Sequence, residues 1–208
     1  MGYQELAMTR RTLHAVAELV LAGPQYRATG KLRLRLVPGG FATVLAPELR
    51  VVGTGVVGAG GVAVPIDGHT ARAIGAELGV AAGRPEGAYS DGAGVDPDQT
   101  LTLDPDQADV ILGGLSVGHD ALIAFTPTET PVLWPEHFDV AIRVGDVNFG
   151  VSPGDSFIEE PYAYVGVSRP PAGDAFWNAP FGAAVPLSEL AGPKAVTAFF
   201  AEGRSRSQ

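Results

Sequence analysis

Residues 137–151 read HFDVAIRVGDVNFGV, and this stretch decides the fold. Apolar side chains occupy every second position on both sides of Gly145-Asp146, first from Phe138 and then from Val147. Because successive side chains of a strand point to opposite faces, this period predicts two half-buried strands. A Gly-Asp pair suits the two-residue turn of a hairpin. The stretch therefore predicts a β-hairpin with one apolar face and one polar face.

The polar face of this hairpin is the candidate site. It carries an imidazole, a carboxylate, a guanidinium and an amide, from His137, Asp139, Arg143 and Asn148. A third strand at 162–165 and an aromatic loop at 176–181 add rings that could line or close the patch, from Tyr162, Tyr164 and Trp177. This combination is typical of a site that holds a small polar or anionic molecule.

Roles within the patch follow from side-chain chemistry. If the protein is catalytic, His137 is the acid or base, Asp139 orients it and Arg143 anchors an anion. Two alternatives stay open: a solvated sheet face whose charges pair with one another, and chelation of a metal by the His-x-Asp pair. The prediction itself assigns no metal, and the sequence defines no cofactor.

The rest of the chain predicts further hairpins with helices packed against them. Residues 31–36 alternate polar and apolar side chains, and residues 41–45 can return beside them. Another strand pair is predicted at 49–57 and 62–66, around a glycine-rich turn. Helices are predicted at 9–22, 70–80 and 105–125. The predicted fold class is α+β, with antiparallel β-hairpins forming a sheet system and about three packed helices.

The sequence predicts two helix boundaries and a domain organisation. Asp104 followed by Pro105 predicts the start of the third helix, and Gly23-Pro24 is expected to stop the first. The prediction is a single domain over 1–208. The alternative is two sub-domains, 1–84 and 104–203, joined by a Gly/Asp/Pro-rich loop at 85–103.

Composition excludes several classes of protein. With 46% hydrophobic residues in 208, the chain is not disordered, and with no cysteine it has neither a disulfide framework nor a thiolate nucleophile. No uninterrupted apolar run approaches the roughly 18 residues that span a bilayer, so no membrane partner is predicted. The stretch after Arg10-Arg11 contains His14 and Glu18, unlike a secretory signal. The predicted location is the cytoplasm.

The net charge of -9 is unevenly distributed. Residues 1–84 carry +4, residues 85–160 carry -14 and residues 161–208 carry +1. Because the acidic middle repels phosphate backbones, nucleic acid is not a predicted partner. The charge supports a second functional class, a non-enzymatic interaction protein whose acidic surface docks on a basic partner.

Two short motifs match catalytic or cofactor patterns. Residues 114–118 match the G-x-S-x-G nucleophile elbow around Ser116, which keeps a serine hydrolase as a third class. The helix-start signal at Asp104 and the lack of a histidine after His137 count against it. Residues 53–58 match G-x-G-x-x-G, but Gly60-Gly61 and Pro65 disfavour the helix that a dinucleotide needs. A glycine-rich hairpin is predicted there instead.

Three segments carry a resemblance to other proteins. Residues 133–139 (LWPEHFD), 148–155 (NFGVSPGD) and 160–166 (EPYAYVG) resemble an uncharacterised family of actinobacterial proteins. The strand–turn at 32–43 and the helix near 70–80 are similar too. The resemblance implies no activity, cofactor or catalytic residue.

The sequence thus favours a soluble protein that binds a small polar or anionic molecule on the polar sheet face near 137–164. The acidic interaction surface and the serine hydrolase stay as alternatives. Neither a reaction nor an oligomeric state is defined by these residues.

Overall fold

The computed structural model describes residues 2–170 and 174–207, and its architecture is α+β, as predicted. The chain forms two compact units. The first is Met1–Leu112 with Leu133–Phe138, and the second is Gly113–Val132 with Asp139–Gln208. The predicted connection at 85–103 lies inside the first unit, so the two units divide the chain at other positions.

The first unit begins with a helical run in three parts. Helix α1 (Gly2–Ala15) leads into a π-helical segment (Val16–Ala22), and α2 (Gly23–Thr29) follows. The Gly23 amide donates to the Glu18 carbonyl, five residues back, as a π-helical turn requires. The prediction that Gly23-Pro24 stops the helix is wrong, because Pro24 lies in the first turn of α2, where its missing N–H is tolerated.

Six strands form the sheet of the first unit: β1 (Leu34–Val37), β2 (Gly40–Thr43), β3 (Leu49–Val52), β4 (Gly55–Gly58), β5 (Ala63–Pro65) and β6 (Val132–Trp134). They are antiparallel, in the order β6-β1-β2-β3-β4-β5. A 3₁₀ turn (Ala59–Gly61) follows β4. No helix begins at the motif 53–58, as predicted, and the motif forms the hairpin turn into β4 and that strand. The single strand predicted over 49–57 is wrong, because the chain turns back at Gly53, whose φ is 55°, and β3 pairs with β4.

One face of this sheet is apolar and buried. Each of the five consecutive strands from β1 contributes a side chain that is at most 1% exposed, namely Leu34, Phe41, Val51, Val56 and Val64. Helix α3 (Ala71–Glu77) also lies in this unit, and the Thr70 hydroxyl caps it by accepting the Ala73 amide at 3.1 Å. Because side chains alternate along each strand, the residues between the buried ones of β1 to β5 point to the opposite face of the sheet, here called the outer face.

Helix α4 (Pro105–Phe125) starts at the predicted residue. The Asp104 carboxylate accepts the Gln107 amide at 2.9 Å, which satisfies one free donor of the first turn. Ser116 lies in the helix interior and is exposed, so the strand–turn–helix geometry of a nucleophile elbow is not formed.

By length and composition α4 could also span a membrane. It is the one such helix in residues 2–170 and 174–207, with a mean hydropathy of 1.4 over a window that is 50% buried. A core helix of this length satisfies the same criterion. Polar residues interrupt its apolar runs, so no spanning segment was predicted there from the sequence.

The second unit contains four antiparallel strands in chain order: β7 (Asp139–Val144), β8 (Val147–Ser152), β9 (Tyr162–Gly166) and β10 (Gly182–Pro186). Its last helix is α5 (Pro193–Arg206). The predicted hairpin is confirmed as β7 and β8, with Arg143 opposite Asn148 and Ile142 opposite Phe149. Strand β10 was missed, because its Gly-Ala-Ala run has little strand propensity.

Packing of α4 against β7 and β8 depends on a close approach at Gly118. A Cβ on Gly118 would lie 2.6 Å from Val151 Cβ and 3.0 Å from Val140 Cγ1. A Cβ on Gly113, in the same helix, would meet no heavy atom within 4 Å. The two glycines therefore test packing and helix propensity separately.

We expect Gly118→Ala to lower the free energy of unfolding by about 1–3 kcal/mol, because the added methyl overpacks the Val140 and Val151 contact. Gly113→Ala is the matched control and should raise it by about 0.5–1 kcal/mol through helix propensity alone. Urea denaturation followed by circular dichroism measures both. Equal effects of the two substitutions would contradict the close approach at Gly118.

Candidate functional site

The predicted polar face exists in the second unit, and most of its predicted residues share it. Asp139 and Arg143 alternate with Val140 and Ile142 along β7, and register places Asn148 of β8 on the same face as Arg143. On β9, Tyr164 lies opposite Gly150 and Tyr162 opposite Ser152. Since Gly150 and Ser152 are even-numbered like Asn148, both tyrosines fall on this face.

His137 is not part of that strand. Phe138 has a positive φ of 56°, so the alternation that was predicted to begin at Phe138 begins one residue later, at Asp139. His137 lies in the preceding turn, in the first unit, with its side chain 60% exposed and its Nε2 3.7 Å from Glu136 Oε1. The strand geometry that suggested its role therefore does not include it.

Two tyrosine–carboxylate pairs occupy the polar face. The Tyr164 hydroxyl donates to Asp139 Oδ2, and the Tyr162 hydroxyl donates to Asp155 Oδ2 at 2.6 Å. The Tyr164 ring lies directly over Gly150, where any Cβ would meet its Cζ at 2.6 Å. Burial, then the charge of Asp139, raises the pKa of Tyr164 well above its usual value. Burial and Asp155 raise the pKa of Tyr162 as well.

These pairs lie beside a small apolar cluster. Tyr162 packs with Ala179 and Ala184, and Phe181 packs against them. The rings of Tyr164 and Phe181 meet edge to face at 6.4 Å. Both hydroxyls are thus engaged by carboxylates inside a partly covered patch, which stabilises the sheet and leaves them less available to a ligand.

The remaining predicted residues lie at the ends of this region. Arg143 Nε donates to the Gly145 carbonyl at 3.0 Å, and its guanidinium pairs with Asp146 at 3.1 Å. Asn148 is exposed. Trp177 is 9% exposed and meets Phe176 edge to face at 5.0 Å. Register brings Arg143 and Asn148 together, while the described ring contacts of Trp177 are made with Phe176.

A buried carboxylate in the first unit was not predicted from the sequence. Glu18 lies in the π-helical segment with no exposed surface, and its Oε1 accepts Arg84 Nε at 3.0 Å. Its Oε2 accepts the Ala93 amide at 3.1 Å. A Cβ on Gly92 would collide with Glu18 Oε1, so the backbone approaches the carboxylate directly.

Residues 81–94, here called the strap, are bound by this carboxylate and by three arginines. Arg11 and Arg27 lie outside the strap, and Arg84 belongs to it. Arg84 donates to the Ser90 and Asp91 carbonyls, Arg27 to those of Ala81, Gly83 and Arg84, and Arg11 to those of Ala93 and Gly94. The Arg84 guanidinium also lies 5.8 Å from the centre of the Tyr89 ring. The strap is therefore an ordered part of the first unit despite its loop-like composition.

His14 lies one helical turn before Glu18. Its Nε2 donates to the Pro135 carbonyl at 2.8 Å, and its ring stacks on Phe138 at 5.6 Å. Burial lowers the pKa of His14 below its usual value. An uncharged imidazole packed on an aromatic ring has the character of a core residue.

The outer face of the first sheet contains a groove of about 610 Å³. Its floor is formed by β1 to β4, and its walls are the loops at 44–48 and 59–61. The volume lies within the range of small-molecule sites. Register places Arg35 opposite Ala42, Ala42 opposite Arg50, and Arg50 opposite Val57, so two arginines flank one small side chain on the same face.

Neither of these guanidiniums has a polar partner within residues 2–170 and 174–207. Glu48 also lines the groove. The strand that contains Arg35 was predicted from the sequence, but its polar face was given no role. In the sequence, the alternation of Arg33 and Arg35 with apolar residues indicates this polar face. That Arg35 and Arg50 lie near each other follows from the register of three strands, which no local pattern defines.

Metal binding has no support in the described ranges 2–170 and 174–207. No three His, Cys, Asp or Glu side chains there are grouped so that they could hold an ion. The donors of the outer groove are mainly cationic, which suits an anion and not a metal.

Comparison with known proteins adds no assignment. No protein-family model matches the chain, no curated protein is significantly similar to it, and no solved structure matches its fold. The resemblance to an actinobacterial family therefore stays a prediction, and function is argued from geometry.

We expect Tyr164→Phe to lower the free energy of unfolding by about 1–3 kcal/mol at pH 7, because the buried Asp139 carboxylate loses this donor. The raised pKa means that the folded state retains the phenol proton, so its contribution is full below about pH 10 and declines as the pH rises further. The wild-type protein should therefore lose stability above pH 10 more steeply than the variant.

Denaturant titration at pH 7, 9, 10 and 11 measures this difference. Tyr3→Phe is the control, since Tyr3 is 61% exposed and its replacement should change stability by less than about 0.5 kcal/mol. Parallel stability–pH curves for wild type and Tyr164→Phe would argue against the buried pair.

We expect Glu18→Gln to destabilise the first unit by about 1–3 kcal/mol, because the hydrogen bond from Arg84 would then be made to a neutral amide instead of a carboxylate. Hydrogen exchange should become faster in the strap at residues 81–94, whose amides depend on this anchor. Glu5→Gln, at an exposed position of α1, is the matched control and should leave both quantities unchanged. Unaltered strap exchange in Glu18→Gln would show that the carboxylate is not the anchor.

Proposed function

We propose that this protein binds a small anionic molecule in the outer groove of its first unit. The observation that supports this is the pair Arg35 and Arg50, two guanidiniums on one sheet face with Ala42 between them, for which the described part of the chain supplies no polar partner. A guanidinium presents planar, bidentate donors that match carboxylate and phosphate oxygens.

The spacing of the two arginines suits one shared anion. Their Cα atoms are two strands apart, which is about 9.6 Å at the usual strand separation. Each side chain can extend inward above the Ala42 methyl, so both can reach an oxyanion held over it. Because the chain as a whole carries a net charge of -9, the attraction of an anion is local to these two guanidiniums.

The polar face near 137–164 is a second candidate for the same activity. Asn148 is exposed there and lies opposite Gly166, which lies opposite Gly182, so two missing side chains leave room beside the amide. We place it second because Arg143 is already paired with Asp146, and the hydroxyls of Tyr162 and Tyr164 donate to carboxylates.

The proposed location is the cytoplasm. It is supported by the packing of Leu13, Val16 and Leu19, which are fully buried and so belong to the folded core and not to a cleavable segment. An acidic docking surface at 85–160 is the competing non-enzymatic function, and it predicts binding to basic proteins that weakens steeply with salt.

Isothermal titration with ribose 5-phosphate, at low ionic strength, tests the anion site. We expect Arg35→Gln and Arg50→Gln each to weaken binding on the order of 10- to 100-fold, because each loses a charge-assisted pair. Arg143→Gln is the matched control, an exposed arginine on the second candidate face, and should bind like wild type.

The same titrations separate the two candidate faces. Loss of binding in Arg143→Gln with full binding in the Arg35 and Arg50 variants would move the site to the face near 137–164. Absence of binding by wild-type protein to both ribose 5-phosphate and inorganic phosphate at millimolar concentration would refute the proposal.

A further inference from the structure

We infer that the ligand of the outer groove is a mononucleotide, whose phosphate lies between Arg35 and Arg50 and whose base stacks on Trp134. This inference rests on the proposed function, because it needs an anion site at the two arginines. It adds a second contact, to an aromatic ring on the neighbouring strand.

Register places Trp134 on the same face as the arginines. Leu34 of β1 pairs with Leu133 of β6, and both side chains are buried, at 1% and 0% exposure. Since side chains alternate along each strand, the neighbours of these two leucines point outward. Arg35 of β1 and Trp134 of β6 are therefore both on the outer face.

The separation fits a base and a phosphate joined by a pentose. Trp134 is one strand beyond Arg35 and two residues along, which puts the two Cα atoms about 8 Å apart. The anion would lie above Ala42, whose Cα is roughly 12 Å from the Cα of Trp134. The arginine and indole side chains each close part of that distance.

The exposure of Trp134 is unusual for its position. The residue is 37% exposed, and in the described part of the chain its indole makes no ring or cation–π contact. Tryptophan is normally largely buried, so an exposed indole beside arginines marks a surface that a planar ligand can cover. An aromatic platform next to cationic side chains is the combination that holds nucleotide bases and phosphates.

The groove favours a single nucleotide over a polymer. The loops at 44–48 and 59–61 form its walls, and Glu48 contributes a carboxylate that would repel an adjacent phosphate. The same carboxylate can accept a hydrogen bond from a ribose hydroxyl. One terminal phosphate is thus favoured over a continuing backbone.

Isothermal titration with three probes tests the inference: adenosine 5′-monophosphate, ribose 5-phosphate and adenosine. We expect the nucleotide to bind on the order of tenfold more tightly than the sugar phosphate, because the base stacks on the indole. Trp134→Ala should abolish this difference without changing the affinity for ribose 5-phosphate, and Trp134→Phe should retain most of it. Phe157→Ala, which removes an aromatic ring that is 47% exposed in the second unit, is the matched control.

Failure of this inference differs from failure of the proposed function. Equal affinities for the nucleotide and the sugar phosphate would refute base stacking while leaving the anion site intact. A nucleotide preference that survives Trp134→Ala would refute the assignment to Trp134. No binding of either ribose 5-phosphate or inorganic phosphate would refute both, and tighter binding of an oligoadenylate than of the mononucleotide would overturn the assignment to a small molecule.

Discussion

The proposed site depends on the burial of one row of side chains, one from each neighbouring strand of the first sheet. Leu34, Phe41, Val51 and Val56 are at most 1% exposed, and keeping them away from water fixes the register of β1 to β4. A slip of one residue would turn that row to solvent and bring arginines into the core. The apolar core therefore determines which polar groups meet on the opposite face.

Local patterns in the sequence predicted much of the fold. The alternation at 139–151 indicated the hairpin of β7 and β8, and the Asp104 signal indicated the start of α4, because both depend on residues close together in the chain. The polar face of Asp139, Arg143 and Asn148 was predictable for the same reason.

What the sequence did not predict depends on distant residues. The positive φ of Phe138 removed His137 from the strand, and the π-helical turn carried the helix past Pro24. Neither has a local signal, since tertiary packing stabilises both. The arginine pair required the register of three strands, and the partners of Glu18 lie 66 to 75 residues away.

The strap has a consequence for how this protein can vary. Three arginines bind it through backbone carbonyl oxygens, which every amino acid has. These hydrogen bonds therefore do not depend on most of its side chains. Arg84 is an exception, because its guanidinium makes these bonds from within the strap. So are Gly92, where a side chain would collide with Glu18, and Gly87 and Gly94, whose φ values of 74° and 60° favour glycine. Sequence divergence among homologues should therefore be tolerated at the other positions of this segment, provided that the arginines, the carboxylate and these glycines are kept together.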